Sequence, residues 1–299
     1  MSTLSKSGIV SLVGRPGVGK STLLNSLVKQ KVSIVTPRAQ TTRRPVRAVL
    51  NTEGGSQIVF VDLPGAKKPT DALGEYMFDT VWTNVEESDL ALFVVDGSSV
   101  PPGPGDIYVA RDLMKTGIPS ILVINKMDLV PPDAMEERVR MFESLGDFVS
   151  TVAVSALSGN NVSQLVSAIE DRLEEGPTFY PEGMTTDQSM EAFIGEIIRE
   201  KVMLLTADEL PYAVESQVDF LDESTDIVRI NATIYVERES QKPIIIGANG
   251  QMIKQIGTLA RKELEKVLGK HVFLGLWVKV KENWRNNKEA LYYFGYHVE

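Results

Sequence analysis

The sequence predicts an α/β protein: a doubly wound, mostly parallel sheet over the first 176 residues, followed by a smaller α+β domain. Three observations carry this prediction. Short β-rich apolar runs alternate with stretches of helical spacing as far as about residue 173. A Gly- and Pro-containing segment at 176–183 then breaks both periods. Beyond it the order changes to helix, strand, strand, helix, helix, strand.

In the first part, the runs 9–13, 58–61, 90–95, 121–124 and 149–154 are apolar almost throughout, the pattern of strands buried on both faces. Segments 20–28, 72–85, 106–115, 134–144 and 162–172 have helical spacing and supply the crossovers of repeated βα units. Glu53-Gly54-Gly55-Ser56 is a turn signal between runs 46–50 and 58–61, which predicts one antiparallel hairpin at the sheet edge. Domain boundaries are expected at 1–176, 177–186 for the linker and 187–299. The second domain reads as a helix over 190–205, strands over 213–221 and 227–236, a short apolar turn of chain into Gly247, a helix over 251–268 and a strand over 272–280.

Composition narrows the function classes. At 299 residues the chain is long enough for two cores. It has no cysteine, which excludes disulfides and zinc-thiolate sites, and only two histidines, His271 and His297. The short polar N-terminus does not read as a secretion signal, and no apolar run reaches the roughly 18–20 residues of a membrane span, so a cytoplasmic address is expected. The net charge of −9 argues against indiscriminate nucleic-acid binding. Its distribution is uneven: residues 1–183 carry −5, residues 184–250 carry −8 and residues 251–299 carry +4. Only the last fifty residues permit a nucleic-acid face, and a solvated surface is the blander reading of the same asymmetry.

Gly14-Arg15-Pro16-Gly17-Val18-Gly19-Lys20-Ser21, with Thr22 next, lies after an expected strand and opens an expected helix. This is the phosphate-cradling P-loop pattern. Glycines let backbone N–H groups turn toward phosphate oxygens, the helix N-terminus favours negative charge, Lys20 neutralises β/γ oxygens and Ser21 offers a hydroxyl to Mg²⁺. Asp62-Leu63-Pro64-Gly65 leaves strand 58–61 at the ligand edge of such a sheet. Asp62 is expected to hold Mg²⁺ through a water and the Gly65 N–H to bond the γ-phosphate. In the loop Ala39-Gln40-Thr41-Thr42-Arg43-Arg44, Thr42 is the first choice for a further Mg²⁺ ligand and Thr41 the alternative. Lys20, Thr42, Asp62 and Gly65 form the expected catalytic set.

Asn125-Lys126-Met127-Asp128 follows strand 121–124. A carboxylate there can take both guanine N1–H and N2–H₂, a donor pair that adenine lacks, so Asp128 is the expected base selector. Asn125 is expected to tie loops together and the Lys126 stem to lie along the base. Ser155-Ala156-Leu157 follows the last strand and can offer backbone N–H groups to guanine O6.

With these motifs in order, residues 8–173 resemble the translation-factor class of P-loop GTPases, which implies GTP and Mg²⁺ binding and hydrolysis to GDP and phosphate. Two departures stand out. Ras-like members place a water-orienting glutamine after the Asp-x-x-Gly motif, where this chain has Ala66, so slow intrinsic turnover is expected. Gly17 occupies a position where related GTPases often carry Asn near a potassium ion, which puts a K⁺ requirement in doubt.

In the second domain, Gly247-Ala248-Asn249-Gly250 joins the apolar run Ile244-Ile245-Ile246 to a helix that carries Ile253 and Lys254. A Gly-x-x-Gly loop in this setting can clamp a single-stranded backbone, and the element order resembles the prokaryotic type of KH domain. Ile246, Gly247, Ala248, Asn249, Gly250, Ile253 and Lys254 are the expected RNA contacts, with Lys279, Lys281 and Arg285 adding positive charge. Trp277 and Trp284 could stack on bases, although aromatic residues beside a strand more often belong to the core.

A GTPase domain followed by one such KH domain resembles, over essentially the whole chain, the Era family of bacterial ribosome-assembly GTPases. The segments Pro243 to Gly250 and Val278 to Trp284 look like that family's KH loop and terminal segment. The resemblance implies a monomer that binds the 3′ end of 16S rRNA, assists 30S assembly and makes peripheral contact with the inner face of the cell membrane. The competing reading is a signalling or membrane-associated GTPase whose C-terminal domain binds protein.

Overall fold

The computed structural model describes residues 6–296; the polar N-terminal stretch read for a leader falls largely, and His297 wholly, outside them. The chain divides into two compact units. Unit 1 comprises residues up to Ser33, Thr42–Lys68 and Met77–Asp187, and unit 2 comprises Ile34–Thr41, Pro69–Tyr76 and the chain from Gln188 onward.

Unit 1 is built on a six-stranded sheet of β1 (Ser7–Val13), β2 (Val46–Asn51), β3 (Gln57–Asp62), β4 (Leu90–Asp96), β5 (Ser120–Asn125) and β6 (Ser150–Ala153). The strand order is β2-β3-β1-β4-β5-β6, and only β2 against β3 is antiparallel. The apolar runs have the composition they do because each strand feeds two cores in alternation. Leu90, Leu92 and Val94 of β4 point to one face, where α1 (Lys20–Val28) and α5 (Val162–Glu170) pack. Ala91, Phe93 and Val95 point to the other, which is covered by α2 (Ala72–Glu86), α3 (Pro104–Thr116) and α4 (Met135–Glu143). The expected edge hairpin is present, Val46 pairing with Asp62 and Asn51 with Gln57.

The segment expected as a linker is bonded along the β2–β3 edge of unit 1. Gln57, 1% exposed, accepts from the Phe179 and Tyr180 N–H groups with Oε1 and donates to Tyr180 O with Nε2. Val49 N donates to Thr185 O at 2.9 Å, and the Thr186 hydroxyl to Arg47 O at 2.7 Å.

Unit 2 contains α6 (Met190–Leu205), α7 (Leu210–Ala213), β7 (Glu215–Asp222), β8 (Ile227–Val236), α8 (Lys242–Ile246), α9 (Gln251–Leu268), β9 (His271–Val280) and α10 (Lys288–Tyr293). The sheet order is β7-β8-β9, with β7 antiparallel and β9 parallel to β8. The α6 and α9 helices bury Ile194, Ile197, Ile198, Ile256 and Leu264 against Ile230, Ala232 and Ile234 of β8. Ile34 enters the same core.

Three sequence expectations change here. Residue 213 is helical, not extended, because Pro211 in the first turn of α7 suits a helix start, and the strand begins two residues later. The apolar turn before Gly247 is the short helix α8, again with Pro near its start. The α10 helix was not read from the sequence; the Asn287 side chain caps it by accepting from Ala290 N at 3.0 Å.

Candidate functional site

Strand β1 stops at Val13, and the chain turns through residues 14–19 into α1 at Lys20, at the carboxyl edge of the sheet. Gly19 is the residue before the helix and has φ of +95°, a left-handed conformation that excludes most side chains. The Lys20 side chain is buried, and its Nζ donates to Gly14 O at 2.9 Å and Arg15 O at 3.3 Å. Burial pushes this ammonium down to about 8; the Asp62 carboxylate opposes that shift and Arg15 adds to it.

Asp62, fully buried at the end of β3, collects three hydroxyls on one oxygen. Its Oδ2 accepts from Ser21 at 2.6 Å, Ser33 at 2.9 Å and Thr42 at 3.3 Å, and Ser21 Oγ and Thr42 Oγ1 are 2.9 Å apart. Among the described residues nothing bonds Asp62 Oδ1. Burial raises the carboxyl above its ordinary value against the opposing pull of Lys20 and the three hydroxyls. Thr41 does not join this cluster: its hydroxyl is engaged with Thr36 and with Arg38 O. Ser33 was missed, since a lone serine in a loop carries no sequence signal. Gly65 lies against Pro16, where a Cβ would come within 2.6 Å of that ring, and Ala66 N donates to Gly14 O at 3.1 Å.

Around Asn125-Lys126-Met127-Asp128, Asn125 is buried and joins two loops. Its Nδ2 donates to Val18 O at 2.9 Å and its Oδ1 accepts from Ala156 N at 2.9 Å. The Ala156 N–H, expected to face guanine O6, is thus turned to Asn125 in this structure. Lys126 Nζ donates to Gly17 O at 2.8 Å and to Asp96 Oδ2 at 2.7 Å, so its stem crosses from β5 to the phosphate loop. Burial raises the Asp96 carboxyl, but Lys126 and Ser98 outweigh it and the net shift is downward. Asp96 and the Arg15–Asp106 ion pair at 3.0 Å are partners the sequence did not reveal. Asp128 lies exposed in the turn Met127–Leu129, Ser155 is buried and Leu157 is 83% exposed.

In unit 2, α8 ends at Gly247, and the loop reaches α9 through left-handed residues Asn249 (φ +51°) and Gly250 (φ +76°). Ala248, Asn249 and Lys254 are exposed, and Ile246 and Ile253 half-buried. A groove of about 420 Å³ lies between α9 and β9, lined by Ile253, Lys254, Thr258, Arg261, Phe273 and Leu276. Arg261 and Phe273 were missed; the signal was there, since Arg261 is seven residues beyond Lys254 and so on the same helix face. Lys279 pairs with Tyr235 across the sheet, on the face away from α9, so it is not brought to this groove. Lys281 Nζ sits 4.7 Å over the Tyr293 ring. Arg285 is engaged by Glu237 at 2.8 Å and Asp71 at 3.3 Å, and Trp284 is a core residue whose Nε1 donates to Ala213 O.

The fold and the two sites define a P-loop GTPase carrying a C-terminal KH domain. Residues 9–126 match the family described as 50S ribosome-binding GTPase, and residues 209–285 match the KH domain family. GTPase Era of Carboxydothermus hydrogenoformans is 47% identical over 97% of this chain and 98% of its own, and GTPase Era of Caldanaerobacter subterraneus subsp. tengcongensis is 45% identical over 98% and 99%. The chain belongs to the GTPase Era family. Among solved structures, Era in complex with MgGDPNP and nucleotides 1506–1542 of 16S ribosomal RNA superposes with a TM-score of 0.94 at 39% identity, covering 98% of this chain and 100% of that one. A variant of Aquifex aeolicus Era bound to GDP and AlF4⁻ gives 0.93 at the same identity and the same coverage of both chains.

Proposed function

We propose that this protein is a GTP-hydrolysing switch that binds single-stranded RNA at the 3′ end of 16S rRNA and assists assembly of the 30S subunit. The observation that carries the enzymatic half is the convergence of the Ser21 and Thr42 hydroxyls on the buried Asp62 carboxylate beside Lys20. Such a set of oxygen donors fits Mg²⁺, and Asp62 Oδ1, buried with no partner among the described residues, is an acceptor site left over for it or its water. Ser21 and Thr42 would hold the ion directly and Asp62 through a water; the ion would supply charge neutralisation on the phosphates. Lys20 neutralises β/γ oxygens, the N–H groups of residues 14 and 17–22 cradle them, and the Gly65 N–H bonds the γ-phosphate. Asp128 reads guanine, with Asn125, Lys126 and residues 155–157 shaping the base pocket.

Ala66 is 2% exposed and can orient no water, so intrinsic turnover is slow and the attacking water is held by backbone groups or by a partner. With Gly17 in place of Asn, this position supplies no side-chain ligand for a potassium ion beside the phosphates. In the proposed division of labour residues 1–176 handle nucleotide and 187–299 handle RNA, through the loop 246–250, Ile253 and Lys254, with Arg261 and Phe273 in the same groove. Lys279 and Lys281 contribute positive charge from outside that groove. Among the described residues no helix is long and apolar enough to cross a membrane; we place the activity in the cytoplasm, with peripheral contact at the inner face of the membrane.

Calorimetry with GTP, GDP and ATP, with and without Mg²⁺, combined with recovery of RNA crosslinked in cells, tests the proposal. Magnesium-dependent guanine-nucleotide binding and enrichment of the 16S 3′ end are expected. A C-terminal domain free of RNA would favour the reading in which it binds protein.

A further inference from the structure

The sheet of unit 2 has one face packed against α6 and α9 and a second face that is only partly covered. Register identifies the second face: Tyr235 with Glu215 and Lys279, Thr233 with Gln217 and Trp277, Asn231 with Phe220 and Gly275, Arg229 with Asp222 and Phe273. Segment 284–296 covers one end of it. There Tyr296 bonds Glu215, and the Tyr293 and Phe294 rings meet Tyr235 edge-on at 6.2 and 5.0 Å.

The rest of that face is open and aromatic. Phe273 is 62% exposed, and Trp277 and Phe220 are each 50% exposed. A Cβ on Gly275 would fall within 2.9 Å of Trp277 Cη2, so the absence of a side chain there lets the indole reach back along the strand over the backbone. Arg229 and Lys279 flank the rings, and Asn231 lies between them with groups able to bond base edges. Three large aromatic side chains exposed together on one sheet face mark an interaction surface rather than a core.

We propose that this outer face is a second docking surface for single-stranded RNA, with Trp277, Phe273 and Phe220 as a stacking platform for bases. The inference rests on the reading of unit 2 as RNA-binding. Two features commit it to RNA. Aromatic faces flanked by Arg and Lys suit stacked bases on an anionic backbone. The face is also continuous with the α9–β9 groove, because Phe273 lines that groove and belongs to the outer register, and β9 is the edge strand of the sheet. A strand of RNA leaving the groove needs only to pass over the β9 edge to reach Trp277.

The test compares two RNAs from the 16S 3′ end, the tightest-binding hexanucleotide and a dodecanucleotide containing it, against wild type, Trp277→Ala, Phe220→Ala and Gly250→Asp. Stacking of one base predicts that Trp277→Ala weakens the dodecanucleotide about tenfold while leaving the hexanucleotide unchanged. Of the three tryptophans Trp284 is buried and Trp82 lies on α2 of unit 1, so quenching of indole fluorescence by the longer RNA alone, lost in Trp277→Ala but kept in Trp82→Phe, is expected as well. Unchanged dodecanucleotide affinity in both aromatic variants, or equal losses for both lengths, would overturn the platform. If Gly250→Asp loses both RNAs while the aromatic variants lose neither, the platform fails and the groove stands; if wild type binds neither RNA, the reading of unit 2 fails with it.

Discussion

Asn125 Oδ1 accepts the Ala156 N–H at 2.9 Å while the amide nitrogen of the same side chain holds Val18 O, so one residue ties the phosphate loop to the loop after β6. All three groups are buried. Asn125→Ala strands a buried carbonyl and a buried N–H, each at about 1–3 kcal/mol. The expected outcome is a lower midpoint in urea and faster release of both GTP and GDP. Equal release rates in variant and wild type would show that the bridge does not shape the pocket.

Asp128 is exposed at the turn after β5, where nothing in the described protein competes for its carboxylate. Asp128→Asn replaces one acceptor with a donor, which suits the oxygen that xanthine carries where guanine has an amine. GTP affinity should fall about tenfold to a hundredfold, with xanthosine triphosphate overtaking it in displacement of labelled GDP. Retained preference for GTP would remove Asp128 as the base reader.

Lys20 yields a pH prediction. In the nucleotide-free protein burial holds its ammonium down to about 8. Phosphate oxygens favour the charged form and so raise the value on binding. A base whose affinity for protons increases on binding takes one up, so between about pH 8 and 9 GDP binding should be accompanied by proton uptake and weaken as pH rises. Titrations in magnesium-free buffers of different ionisation enthalpy measure the uptake directly; proton release in that window would contradict the assignment.

Much of this was legible in the sequence because it rests on local chemistry. The P-loop, Asp62 and Asn125-Lys126-Met127-Asp128 follow short β-rich apolar runs that read as buried strands, and so they arrive together at one sheet edge. Partners set by tertiary geometry were not legible. Ser33, Asp96 and Asp106 have ordinary sequence surroundings and gain their roles from the chain that folds against them. The fates of Trp277 and Trp284 divided for the same reason: strand parity places the first on the open face, while Phe294 and Tyr296, just past the α10 helix that was unread in the sequence, pack against the second.

Gly250 allows the two activities to be separated. It precedes α9 with φ of +76°, and no atom lies within 4 Å of where its Cβ would be. Gly250→Asp therefore meets backbone strain but no clash, and Asp is among the residues that tolerate this conformation, so about 1 kcal/mol of stability is at stake. The added carboxylate would stand at the helix start where an RNA phosphate is expected, and repel it. RNA binding should be lost in a filter or anisotropy assay while GTP hydrolysis by the protein alone continues at the wild-type rate. Retained RNA affinity would mean that the loop 247–250 does not touch the phosphate backbone, and a parallel loss of hydrolysis would mean that the substitution disturbs more than its own helix.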